Sequence, residues 1–137
     1  MRKARMDRGL TQHEVAKIMG VNRNFVYEIE LNKRTYTIYA LHKSYCFLGY
    51  IPTTLNIHEN TLAGKMFVHR IVNGYSFEVV AKEIGIDKST LGRFECGKNL
   101  DSISTLKIKT YLNNLCSIFN KNEAIATSIQ IVEILIK

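Results

Sequence analysis

Two adjacent side chains, Arg23 and Asn24, carry groups suited to reading another molecule. A guanidinium presents a planar fork that fits guanine O6 and N7, and a carboxamide fits adenine N6 and N7. Each good bidentate pair of this kind discriminates by about 1–3 kcal/mol. Glu28, one turn further on, could accept from cytosine or simply pair with Arg23 or Lys33. Such groups are useful only when a rigid frame holds them outward, and the stretch Gly9–Arg34, GLTQHEVAKIMGVNRNFVYEIELNKR, supplies one. Thr11 is a good N-cap, and Glu14 three residues later completes a capping box. Val15, Ala16, Ile18 and Met19 recur at helical spacing. Gly20 can take the positive φ that ends a helix. Asn22 can then cap a second helix, Arg23–Leu31. Val26 and Ile29 face inward there, while Arg23, Asn24, Tyr27 and Glu28 stay outside. The pattern predicts two short helices about a tight turn, the second one proud enough to enter a major groove.

The same pattern returns 65 residues on, without a gap, as NGYSFEVVAKEIGIDKSTLGRFECGKN, Asn73–Asn99. Gly9 falls on Gly74, Thr11 on Ser76, Val15-Ala16-Lys17 on Val80-Ala81-Lys82, and Gly20 on Gly85. Asn22 falls on Asp87, Arg23 on Lys88, Val26 on Leu91, Ile29 on Phe94, Glu30 on Glu95 and Lys33 on Lys98. Upstream, Arg5 falls on Arg70. Caps, turn glycine, inward positions and basic positions repeat together, which predicts a duplicated unit, and two copies are too few for a solenoid. Glu30 and Glu95 are expected to bond the basic side chains Arg5 and Arg70. Lys88 and Arg93 then take the place of the first copy's readers, with Ser89 beside them.

Around these stretches the chain reads as helical. Met1–Arg8 predicts a first helix with Arg2, Lys3, Arg5 and Arg8 outside. Ile38–Leu48 predicts another, closed by Gly49. Tyr50–Asn60 holds the only proline, Pro52, and reads as an irregular linker. Ile103–Leu112 leads the last helix of the second copy. In the tail, Ile125, Ile129, Val132 and Ile136 align on one helical face, wide enough to pack on the second copy or to pair with another chain. Its β-branched residues leave a strand as the minority reading.

The 137 residues carry a formal charge of +7, which favours a polyanionic partner such as nucleic acid over an anionic membrane. No run approaches the roughly 18 apolar residues of a membrane span, and no signal-peptide pattern opens the chain, so a cytoplasmic location is expected. Cys46, Cys96 and Cys116 lack metal-site spacing and are expected to be small buried residues. Gly92–Asn99 almost spells a phosphate loop, but it lacks the final hydroxyl and lies at a helix end instead of after a strand. His13, His42, His58 and His69 lack mutual ligand spacing. No catalytic set, metal site or cofactor is expected.

Both copies resemble the Cro/CI-type, lambda-repressor-like helix-turn-helix family of phage and bacterial regulators. The resemblance rests on Arg5, Gly9–Gln12, Glu14–Ala16, Gly20-Val21, Arg23, Val26, Ile29-Glu30 and Lys33-Arg34. In the second copy it rests on Arg70, Gly74, Ser76, Val80-Ala81, Gly85-Ile86, Lys88–Leu91, Phe94-Glu95 and Gly97-Lys98. Phe47–Pro52 looks like the junction that joins such domains in tandem. The resemblance implies an all-α protein with two tandem domains, 1–49 and 61–119, a linker 50–60, and a C-terminal apolar helix 120–137. It implies five-helix domains whose third helix reads the major groove of double-stranded DNA. Arg23, Asn24 and Glu28 would face base edges in the first copy, and Lys88, Ser89 and Arg93 in the second. Gln12, Lys33, Arg34 and Lys98 would face phosphates. Phe77 stands where Gln12 does, so one contact is absent from the second copy, and Asn32 replaces the glycine expected after the third helix. The expected function is a sequence-specific transcriptional regulator of the repressor kind, with no enzymatic activity. The alternative is a protein-interaction module, an antitoxin or anti-repressor, using the second domain and the Ile-rich tail, which could also hold a homodimer.

Overall fold

The structure is a computed structural model in which residues 1–52, 55, 57, 58 and 60–117 are described. The expectations for the tail 120–137 lie outside the described residues. The elements run α1 (Arg2–Asp7), α2 (Gln12–Met19), α3 (Arg23–Glu30), α4 (Ile38–Leu48), α5 (Leu62–Asn73), α6 (Phe77–Ile84) and α7 (Lys88–Glu95). An eighth helix, α8, covers 102–117 of the described residues, and no strand occurs among them. The fold is all-α. Among the described residues each half shows four helices where the resemblance implied five, and α3 stops one residue earlier than expected, at Glu30.

Local chemistry sets the helix boundaries. Thr11 Oγ1 accepts from the Glu14 amide at 3.2 Å while Glu14 Oε2 accepts from the Thr11 amide at 2.7 Å, closing the capping box. Asn22 Oδ1 accepts from the Phe25 amide at 2.8 Å to open α3. Asp87 opens α7 through the Ser89 amide, also at 2.8 Å. Each such cap is worth about 1 kcal/mol. Gly20 and Gly85 end α2 and α6 with φ of 65° and 78°, a conformation that a Cβ would strain. Asn32 adopts φ 54° after α3, where its counterpart Gly97 adopts 73°. An asparagine tolerates that left-handed conformation better than other side chains do.

Two separate cores result. Val15, Ala16, Met19, Phe25, Val26, Ile29, Ala40, Phe47 and Leu48 form the first, with Met1, Ala4, Leu10 and Val21 packed at its edge. Met66, Val80, Ala81, Leu91, Ile108 and Leu112 form the second. Phe25 is buried in the first core although spacing alone had pointed only to Val26 and Ile29. Ile18, expected on the inner face of α2, is instead 61% exposed. Val15, Ala16 and Met19 already fill the narrow stripe that an eight-residue helix can bury. The three cysteines are also exposed, contrary to expectation: Cys46 on α4, Cys96 at the C-cap of α7 and Cys116 on α8 all face away from either core.

The halves meet through α4 and α5. His42 Nδ1–H donates to the Ile71 carbonyl at 2.9 Å. The same ring lies where a Cβ on Gly74 would stand, 2.9 Å from the nearest ring carbon.

Candidate nucleic-acid interface

The frame that aims α3 is a charged latch. Arg5 Nε donates to Glu30 Oε1 at 2.7 Å, Arg5 Nη2 donates to Glu30 Oε2 at 3.1 Å, and Arg5 Nη1 donates to the Leu10 carbonyl at 3.0 Å. A fork-to-fork pair of this kind ties α1 to α3 with fixed geometry. Gln12 adds a third bond, Nε2 to Glu30 Oε2 at 2.9 Å. Burial alone would raise the Glu30 carboxyl, but the hydrogen bonds from Arg5 and Gln12 outweigh it and hold the pKa below the usual value.

The second half repeats the latch with one part changed. Arg70 Nη1 donates to Glu95 Oε2 at 2.6 Å and Arg70 Nε to the Tyr75 carbonyl at 3.1 Å. Phe77 replaces Gln12, and its ring stacks 3.6 Å from the Arg70 guanidinium carbon. Glu95 Oε1 is left buried with no hydrogen-bond partner among the described residues. Burial dominates here, and the Glu95 pKa is raised despite Arg70.

On the first half, Arg23 and Asn24 are exposed at the start of α3, and Arg23 forms no ion pair among the described residues. Glu28 is not joined to Arg23 or Lys33; its Oε2 accepts from Arg34 Nη1 at 2.7 Å. The Arg34 guanidinium also lies over the Phe25 ring, 4.2 Å from its centroid. Lys33 is exposed, with Nζ 6.0 Å from the Tyr27 centroid. Gln12 is turned inward to Glu30, so of the four residues expected beside phosphates it is the one engaged with the frame. Arg8, expected on the outer face of α1, donates instead from Nη1 to the Phe47 carbonyl at 2.7 Å and covers the Phe47 ring. It caps the end of α4, where unpaired carbonyls favour a cation.

The corresponding surface of the second half is more self-contained. Lys88 Nζ pairs with Glu78 Oε1 at 2.7 Å, and that bond holds the Glu78 pKa below its usual value. The Ser89 hydroxyl donates to Asp87. Arg93 and Lys98 are exposed and form no ion pair among the described residues. Gly92 occupies the place of Tyr27.

Sequence reading missed one polar chain altogether. The Tyr111 O–H donates to Glu83 Oε2 at 2.6 Å, so the 3.0 Å contact from His69 Nε2 is His69 donating to the Tyr111 oxygen. Asn73 Nδ2 lies 3.2 Å from His69 Nδ1, which accepts from it. Burial lowers the His69 pKa. The chain joins α5, α6 and α8 and lies away from α7. Its members are 28 and 42 residues apart, so no local spacing could have revealed it.

Two short helices about a glycine turn, the second carrying free basic and amide groups, define a helix-turn-helix. Residues 1–41 match the family model described as Helix-turn-helix, which covers α1 to α3 and the first turn of α4. The match supports a DNA-binding transcription regulator of the Cro/CI kind. No curated protein and no solved structure matches the chain. No helix among the described residues is long and apolar enough to cross a membrane.

Proposed function

We propose that the chain is a sequence-specific repressor of transcription with two tandem helix-turn-helix domains, 1–49 and 61–119, reading double-stranded DNA with α3 and α7. The observation that carries this reading is the exposed Arg23–Asn24 pair on a helix fixed by the Arg5–Glu30 latch. Two further facts support the second domain. The helix pair and the positive-φ turns recur at a spacing of 65 residues, and so does the latch, as Arg70–Glu95. Arg23, Asn24, Lys88, Ser89 and Arg93 would read bases, and Lys33, Arg34 and Lys98 would neutralise phosphates. Affinity would fall with salt at a log–log slope of about −0.9 per phosphate neutralised.

Selection of bound sites from random DNA tests this reading. Two half-sites are expected, about 34 Å apart along the duplex if both helices face one side. Arg23→Ala should relax one position in one half-site and Arg93→Ala a position in the other. A single half-site unaffected by Arg93→Ala would reduce the second domain to a structural role. Failure to enrich any site would overturn base reading as a whole.

The second reading, an interaction module, draws on Ile103 and Leu106. These are 69% and 65% exposed on α8. A chain that enriches no DNA site and captures a protein through α8 would favour it.

A further inference from the structure

Three side chains of α3 share one outward stripe. Tyr27 stands four residues after Arg23 and three after Asn24, the spacing that places side chains on a common helical face. It is 46% exposed, although it is among the largest apolar bodies in the first half. Nothing in the core claims it: Phe25, Val26 and Ile29 fill the inner face. The Lys33 ammonium lies over the ring, 6.0 Å from its centroid. Lys33 sits in the loop after α3, so the ring is steadied from the loop side while the rest of its surface remains open.

The neighbouring acid is committed elsewhere. Glu28 Oε2 holds Arg34, and Arg34 is fixed from its other side by the Phe25 ring. A carboxylate so engaged is poorly placed to accept from a base, and its charge opposes approach to phosphate. Glu28 acts as a positioning residue for Arg34.

We infer that Tyr27 is the third base-reading residue of the first half, packing its ring against the C5-methyl group of a thymine beside the positions read by Arg23 and Asn24. Apolar contact with that methyl is the one feature of the major groove that an aromatic ring reads and a guanidinium or amide does not. The second half offers no equivalent, since Gly92 stands at that place. Only one half-site of a two-part operator therefore carries the thymine preference. The inference rests on the proposal that α3 reads bases.

The test is affinity for the selected site with thymines replaced singly by deoxyuridine, which removes only the methyl. For the unaltered full-length protein one replacement should weaken binding about fourfold, the value of burying a single methyl group. The same replacement should have no effect on Tyr27→Ala and should keep its effect on Tyr27→Phe. Glu28→Gln should leave the thymine effect intact. If every thymine tolerates the replacement, or if Tyr27→Ala retains the sensitivity, Tyr27 is not a reader although Arg23 still can be. If no site is enriched, the proposal fails together with base reading by α3.

Discussion

The two halves carry the same latch in different states of completion, and the contrast separates what holds α3 and α7 in place from what each helix leaves exposed. In the first half Glu30 takes two bonds from Arg5 and one from Gln12, and both carboxylate oxygens are satisfied. In the second, Arg70 binds one oxygen of Glu95, Phe77 stacks on the guanidinium, and Oε1 has no partner. Phe77 exchanges the hydrogen bond of Gln12 for apolar packing, and Arg70 gives its Nε to the Tyr75 carbonyl where Arg5 gives its own to the acid, so Glu95 is left half satisfied. The outer faces of α3 and α7 differ in the same direction. The first half leaves Arg23, Asn24 and Tyr27 open, whereas the second ties Lys88 to Glu78 and Ser89 to Asp87 and leaves Arg93. Because Lys88 and Glu78 are both largely exposed, their pair is a weak restraint that a phosphate could displace. Polar groups are thus left open in the first half and paired locally in the second.

Removing the arginine of each latch should give the largest separation. Arg70→Ala strands a buried Glu95 and should cost about 3–5 kcal/mol, read from urea unfolding. Arg5→Ala should cost less, because Gln12 still donates to Glu30. Equal losses would mean that Gln12 contributes nothing and that the halves are alike in this respect.

The glycines that follow α1 and α5 should differ next. Gly9 and Gly74 both have positive φ, 64° and 70°, so alanine at either position should cost about 1–2 kcal/mol. Only at Gly74 does the added Cβ meet His42, at 2.9 Å. Gly74→Ala should therefore exceed Gly9→Ala in the same unfolding assay and should disturb the α4–α5 contact. Matching values would show that His42 moves aside without cost.

Acid titration should give the smallest effect and the clearest sign. Glu30 has a lowered pKa in the folded chain, so its contribution is present above the ordinary glutamate value and is lost as pH falls through the depressed one. Glu95 has a raised pKa, so its contribution is complete below the ordinary value and is lost as pH rises through the elevated one. Glu30→Gln should consequently harm stability more at pH 7 than at pH 3.5. Glu95→Gln should do the reverse, harming it more at pH 3.5 than at pH 7. Parallel pH profiles for the two variants would contradict the different satisfaction of the two carboxylates.

Much of this was legible in the residues because it depends on local chemistry. Caps, turn glycines and inward positions act within a few residues of one another, so Thr11, Glu14, Gly20, Asn22, Val26 and Ile29 announce their roles by spacing. The repeat then transfers those roles to Ser76, Gly85, Asp87, Leu91 and Phe94, and it also pairs Arg5 with Glu30 and Arg70 with Glu95. The sequence by itself therefore determined the all-α class, the helix pair, the latch and the exposed Arg23–Asn24 edge.

Other features were settled only when distant segments met. The partner of Glu28 is Arg34 because Phe25 turns inward and offers its ring as a seat for the guanidinium. Arg8 is drawn to the end of α4, about forty residues away, by unpaired carbonyls. Glu95 Oε1 is orphaned because the Tyr75 carbonyl takes the Nε of Arg70, and Phe77 brings no donor in its place. Ile18 is exposed because the eight-residue α2 buries a narrow stripe already filled by its neighbours. Each of these outcomes is a competition for a limited number of buried partners, and only tertiary packing decides which group wins.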